Sequence, residues 1–265
     1  MRFPDRGIPL HIWKPENQLP DSPVFMYIHG GGYMYGDVEG YENALACIAE
    51  LTGALVVYPE YRFAPECPFP GPPLDCSQAV DWLAANASEL GIDISKLAIG
   101  GDSAGGGLCN AVVQMQHFRH PVKLLVNLYG GMDSRGLPPE WSYDLYTINP
   151  EQEEAQIYRI NRTKPGPRKS NYTAGHDELL ADPLVSAMCC GNFTGWPRSV
   201  IISAAYDYLR YQDEEFALKL FGEGIPVRCI RYAGCEHGFF ERSGALPQAE
   251  DVCHVIADEM KALFG

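Results

Sequence analysis

The chain has 265 residues, 46% of them hydrophobic and 20% charged. That balance suits a single globular domain with a large core and excludes intrinsic disorder. The formal net charge of −14 leaves no basic stripe to pair with phosphates, which argues against nucleic acid and disfavours a strongly anionic substrate.

In chain order, residues 8–13 alternate and read as an early edge strand. Residues 24–28 (Val-Phe-Met-Tyr-Ile) are a continuous apolar run that stops at His29 and three glycines. A helical pattern over 41–51 follows, then a second apolar run at 55–58. The next helix is expected over 75–90, the next strand at 97–99, and a helix rich in Ala, Leu, Val and Met over 104–118. Further strands are expected at 124–129, 200–205 and 227–232, with helices over 213–221 and 249–264. Short continuous apolar runs that alternate with helices predict an α/β fold: a mostly parallel central sheet with helices on both faces. Residues 132–188 break this rhythm. They are polar, carry proline-rich stretches (Gly136-Leu137-Pro138-Pro139 and Lys164-Pro165-Gly166-Pro167-Arg168) and hold one predicted helix over 150–160. So long an excursion between two core strands reads as a lid, within one domain spanning 1–265.

No apolar run is long enough to span a bilayer, and residues 1–7 lack the apolar stretch of a signal peptide. A cytoplasmic protein is expected. Nine cysteines without a C-x-x-C pair fit free thiols in a reducing compartment. Cys109, His117 and His120 share one helical stretch, a spacing that arises readily by chance, and no metal site is assigned.

Gly101-Asp102-Ser103-Ala104-Gly105 fits G-x-S-x-G and sits where that motif has mechanical meaning, directly after a strand and before a helix. A tight turn there lifts a serine hydroxyl clear of the sheet, and the following helix N-terminus favours developing negative charge. His29-Gly30-Gly31-Gly32, straight after the first central strand, supplies the backbone N–H groups that a tetrahedral oxyanion needs. Serine requires a base, and in this fold the order is Ser, acid, His. His237, in the loop after the last strand, is favoured over His117 and His120 on the nucleophile helix, His176 in the lid and His254 in the terminal helix. Asp207, closing the strand before, is the expected acid. Asp213, Glu214 and Glu215 fall on the next helix and are expected to face solvent, and Asp102 is expected to be structural. Tyr33, Tyr35, Trp141, Tyr143 and Tyr146 are candidates to shape a pocket, with ordinary packing an equally good account of them.

These residues resemble the hormone-sensitive-lipase-like branch of the α/β-hydrolase fold. The likeness rests on His29-Gly30-Gly31-Gly32, Tyr61-Arg62-Phe63-Ala64-Pro65-Glu66, Phe69-Pro70 ahead of Asp75, Gly101-Asp102-Ser103-Ala104-Gly105, Asp182-Pro183-Leu184, Asp207-Tyr208-Leu209-Arg210 and His237-Gly238-Phe239. The resemblance implies a serine carboxylesterase that prefers short acyl chains and needs no cofactor. It implies oxyanion donors at Gly31, Gly32 and Ala104, and structural roles for His29 and the Tyr61–Glu66 block. Related acyl hydrolases, such as an arylformamidase or a sugar-ester deacetylase, share this machinery. A ligand-binding protein on a disabled hydrolase would lack the histidine. Three positions depart from the family pattern. Tyr208 replaces a common proline, Tyr211 a common acid, and Glu236 a common apolar residue. Glu236 is expected to raise the pKa of His237. The family's usual helical cap ahead of the first strands is not matched. The site is therefore expected to be open or covered by a second subunit of a homodimer.

Overall fold

The computed structural model describes residues 7–16, 18–162, 164 and 171–265. Residues 1–6, and residues 165–168 of the predicted proline-rich loop, lie outside the described residues. Seven strands among the described residues form one sheet: β1 (Leu10–Trp13), β2 (Ser22–Ile28), β3 (Leu55–Pro59), β4 (Ile92–Asp102), β5 (Leu124–Leu128), β6 (Arg198–Tyr206) and β7 (Val227–Glu236). Their order is β1-β3-β2-β4-β5-β6-β7. β1 is antiparallel to β3, and every other pairing is parallel.

The helices are α1 (Glu42–Thr52), α2 (Gly71–Ala85), α3 (Ala87–Leu90), α4 (Ala104–Gln116), α5 (Glu153–Asn161), α6 (Arg210–Gly222) and α7 (Pro247–Phe264). α2, α4 and α6 bury Val80, Leu83, Leu108, Val112, Phe216 and Leu220 against one face of the sheet. α1 and α7 bury Leu45, Ile48, Val252 and Ile256 against the other. This two-sided cover explains why the central strands are continuously apolar: β2 from Val24 to Ile28, and all of β3 and β5, are fully buried.

Two helices differ from the sequence pattern. The expected helix over 75–90 starts earlier, at Gly71, because Pro72 and Pro73 fall in the first turn where a missing N–H costs nothing. It breaks at Asn86, whose backbone N–H and side-chain Nδ2 both donate to the Trp82 carbonyl, at 3.0 and 2.7 Å. An asparagine that bonds its own backbone in this way competes with the helix. The helix expected over 213–221 begins at Arg210, directly behind Asp207. The excursion over 132–188 contains α5 and short 3₁₀ turns at Tyr143–Leu145, Pro150–Gln152, Asp177–Ala181 and Ala187–Cys189.

Four loops leave the carboxyl ends of parallel strands on one edge of the sheet. β2 leads into the three glycines, β4 into Ser103, β6 into Asp207 and β7 into His237. Parallel α/β sheets form their sites on this edge.

Phe216 anchors the α6 face of the core. It is fully buried, with the Phe193 and Trp196 rings 6.2 and 6.1 Å away. Replacing it with alanine is expected to lower the stability measured by urea unfolding by about 3–5 kcal/mol, since the cavity cannot collapse between packed rings.

Candidate active site

Ser103 stands between β4 and α4 with φ 52° and ψ −121°. This left-handed backbone turns the side chain out of the sheet. It is held there by the Ser103 N–H, which donates to the Leu128 carbonyl at 2.9 Å, and by the Gly131 N–H, which donates to the Ser103 carbonyl at 3.0 Å. Gly105 must be glycine, because a Cβ there would run into the carbonyls of Ile28 and His29.

Ser103 Oγ lies 2.8 Å from His237 Nε2, and His237 Nδ1 lies 2.6 Å from Asp207 Oδ2. Asp207 is fully buried. Its other oxygen accepts the Leu209 N–H at 2.9 Å, so the first turn behind β6 fixes the carboxylate. Asp207 can therefore hold the proton of His237 on Nδ1 and leave Nε2 free to accept from Ser103. Burial opposes a charged imidazolium. The charge and hydrogen bond of Asp207, with Asp102 and Glu241 behind them, outweigh it and hold the His237 pKa above its ordinary value.

The glycine loop faces the same point. Gly31 and Gly32 have φ of 107° and 62°, and the Gly31 carbonyl closes the turn by accepting from Met34 and Tyr35 at 3.1 and 3.2 Å. No acceptor among the described residues takes the N–H of Gly31, Gly32 or Ala104. Asp102 fastens this loop to the Ser103 turn. Its Oδ1 accepts from Gly30 N–H at 2.9 Å and from Tyr27 Oη at 2.8 Å, and its Oδ2 accepts from Tyr41 Oη at 3.2 Å. Burial, then the nearby Glu241, push the Asp102 carboxyl up to about 7, against the pull of the Tyr27 and Gly30 hydrogen bonds. His29 is packed away from Ser103. It stacks on Tyr61 and Tyr58, with centroids 4.4 and 5.0 Å apart, and burial lowers its pKa to about 4. Tyr61 Oη donates to the His29 carbonyl at 3.0 Å, and the Ala64 N–H donates to the Tyr33 carbonyl at 2.9 Å. Arg62 is held by Asp75 through Nη2 at 2.7 Å.

The other histidines stand apart. His176 pairs with Glu178 at 3.0 Å, His120 lies 3.8 Å from Asp81, and His254 is exposed. No group of three or more metal-type ligands occurs among the described residues.

Two expectations fail. Asp213 does not face solvent. It is fully buried, because helical spacing puts it on the stripe of Phe216 and Leu220. Burial, followed by the neighbouring Asp207 and Glu214, holds its carboxyl well above the usual range. Glu236 is not among the carboxylates that raise the His237 pKa. Arg159, Arg162 and Arg242 surround it, and Asp207, Asp102 and Glu241 act on the imidazole instead.

The aromatic candidates divide. Tyr146 is a tie: its Oη accepts from Trp141 Nε1 at 3.1 Å and donates to the Asp207 carbonyl at 2.8 Å. Tyr33 stacks on Tyr172 at 3.7 Å, and its hydroxyl packs against Gly107 on the first turn of α4. Tyr35 is exposed, and Tyr143 Oη meets the Asn161 side-chain amide. Two further rings stand against the imidazole: Tyr129 at 5.0 Å, which the sequence did not single out, and Tyr208 at 6.1 Å, noted there only as a departure from the family pattern.

A family model described as the alpha/beta hydrolase fold matches residues 25–241. An arylesterase of Saccharolobus solfataricus is 27% identical over 264 residues, covering all of this chain and 82% of that protein. A carboxylesterase of Mycobacterium tuberculosis is 28% identical over 246 residues, covering 92% of this chain and 75% of that protein. The solved hyperthermophilic esterase of Pyrobaculum calidifontis superposes with a TM-score of 0.79 at 28% identity, covering 96% of this chain and 81% of that one.

His237 should titrate above the ordinary histidine value in a ¹⁵N NMR experiment, and Asp207→Asn should lower that value. The same raised pKa means that the pair's contribution to folding is complete below the unfolded-state value near 6.5 and is lost as pH rises through the folded one. Equal titration in wild type and variant would remove Asp207 as the cause.

Proposed function

Because the chain belongs to the hormone-sensitive-lipase-like family of the alpha/beta hydrolase fold and is a carboxylic ester hydrolase, we propose that it cleaves short-chain acyl esters through an acyl-enzyme on Ser103. The observation that carries this reading is the continuous line from Ser103 Oγ through His237 to Asp207, with contacts of 2.8 and 2.6 Å.

In the proposed reaction, His237 Nε2 takes the Ser103 proton as Oγ bonds to the ester carbonyl carbon. The carbonyl oxygen becomes an oxyanion facing the N–H groups of Gly31, Gly32 and Ala104, which no acceptor among the described residues occupies. Collapse of this intermediate breaks the bond to the alcohol, which leaves with the proton from His237. A water molecule then gives a proton to His237 and attacks the acyl carbon. Oγ departs and recovers its proton, and the acid is released. Asp207 stabilises the imidazolium in both halves without itself becoming protonated. The whole chain serves as one catalytic domain, with residues 132–188 as its lid.

Crowding supports a small acyl group. Tyr208 lies against the imidazole, and Tyr33, backed by Tyr172, fills the space beside the first turn of α4.

A fluorophosphonate should add one adduct to the wild type at Ser103 and none to Ser103→Ala. That variant should lose about 10⁴-fold or more in kcat, since a triad acts as a unit. With p-nitrophenyl esters, kcat/KM should fall at least about tenfold from acetyl to octanoyl, within the range that pocket size can impose. Equal labelling of the two proteins would remove Ser103 as nucleophile, and a rate that rises with chain length would remove the short-acyl assignment.

A further inference from the structure

α5 has nine residues, of which only Gln156 and Ile160 are buried. A helix this short holds little structure alone, and one isoleucine is a small apolar anchor. Its fastening is ionic instead. Arg159 Nε donates to Glu236 Oε2 at 3.0 Å, and Arg162 Nη1 donates to Glu236 Oε1 at 3.1 Å. Arg242, in the turn that follows His237, donates to Oε1 at 2.8 Å. Both lid arginines also reach backbone. Arg159 donates to the Gly234 carbonyl, and Arg162 Nη2 donates to the His237 carbonyl at 3.2 Å. The Arg159 guanidinium lies 4.8 Å over the ring of Tyr206, next to Asp207. One carboxylate, with its side chain 11% exposed, thus gathers three guanidiniums from two elements.

We propose that Glu236 is a positioning residue that latches the lid helix α5 to the histidine loop and so fixes the lid at the mouth of the site. The kinetic part of this proposal rests on the esterase reading above. Glu236 is the only acid paired with these three arginines among the described salt bridges. Without its charge the three cations repel one another across a shared space, and α5 is left with buried Gln156 and Ile160, the Arg159 contact with the Tyr206 ring and the two carbonyl contacts. Burial alone would push the Glu236 carboxyl up, but the arginines outweigh it and keep the acid below its usual range, so the latch stays charged at neutral pH. The arginine side chains are 32–52% exposed, so salt should weaken the latch.

The test compares full-length wild type, Glu236→Gln, Arg162→Gln and the double variant, using p-nitrophenyl acetate because it is neutral. Glu236→Gln should raise KM about fivefold with kcat within about twofold, the pattern of lost binding and not of lost chemistry. The double variant should match Glu236→Gln, since both changes open one latch. Added NaCl should raise KM for wild type and leave Glu236→Gln unchanged. Limited trypsin should cut at Arg159 or Arg162 about tenfold faster in Glu236→Gln, at an unaltered melting temperature. If Glu236→Gln fails to fold, Arg162→Gln, which changes a more exposed side chain, should show the same direction in KM and in cleavage at Arg159. Unchanged cleavage in the variants, or a fall in kcat at constant KM, overturns the latch. Fluorophosphonate labelling of each protein separates the two readings. A wild type that takes no adduct defeats the serine-esterase assignment, while the trypsin result still decides the latch.

Discussion

The carboxyl of Asp102 joins the two halves of the site. Through Oδ1 it takes the Gly30 N–H at 2.9 Å, and its own backbone continues directly into Ser103. The glycine loop and Ser103 are therefore tied through one side chain. Such a group is costly to bury. Tyr27 and Tyr41 offset that cost by donating to it at 2.8 and 3.2 Å, and Tyr41 Oη also lies 3.4 Å from Glu241 Oε1. The same charge reaches His237, where it adds to the pull of Asp207 on the imidazole. A residue outside the line from Ser103 through His237 to Asp207 thus sets both its geometry and part of its electrostatics.

The strain at Ser103 is sustained by this frame. A non-glycine residue at φ 52° costs about 1–3 kcal/mol and persists only where its surroundings over-determine it. Here its N–H is anchored to β5, its carbonyl accepts from Gly131 and Gly107, and the close approach of Gly105 to the β2 end leaves no room to relax. The same close packing carries the hydroxyl to within 2.8 Å of Nε2.

What the sequence made legible follows the range of each interaction. The sheet and its helices could be read because burial on both faces writes continuous apolar runs. The serine turn and the glycine loop could be read because each is a local backbone device with a short motif. Asp207 and His237 required a rule about chain order and the family resemblance of their short flanking motifs, since neither sits in a backbone device as distinctive as the serine turn. Asp213 was misread because charge alone was weighed. Its spacing of three and seven residues from Phe216 and Leu220 already placed it on the buried stripe. The partners of Glu236 were not legible. Arg159 and Arg162 lie more than 70 residues away in sequence, and no local pattern records that a lid helix folds back on the last strand.

The molecule thus uses two kinds of cohesion. The frame around Ser103 is held by apolar faces packed on both sides of the sheet, with Asp102 and Asp207 buried and hydrogen-bonded. α5 is held largely by part-exposed ion pairs, each of which contributes about 0–1 kcal/mol in such a setting, with buried Gln156 and Ile160 and the Arg159 contact with the Tyr206 ring beside them. Free energies of that size allow a segment to open without disturbing the cooperative core. The tie from Tyr146 to the Asp207 carbonyl and the bond from Arg162 to the His237 carbonyl place this looser layer in direct contact with the backbone of Asp207 and His237. A net charge of −14 makes a local excess of arginine conspicuous, and it falls where the weaker layer meets the rigid one.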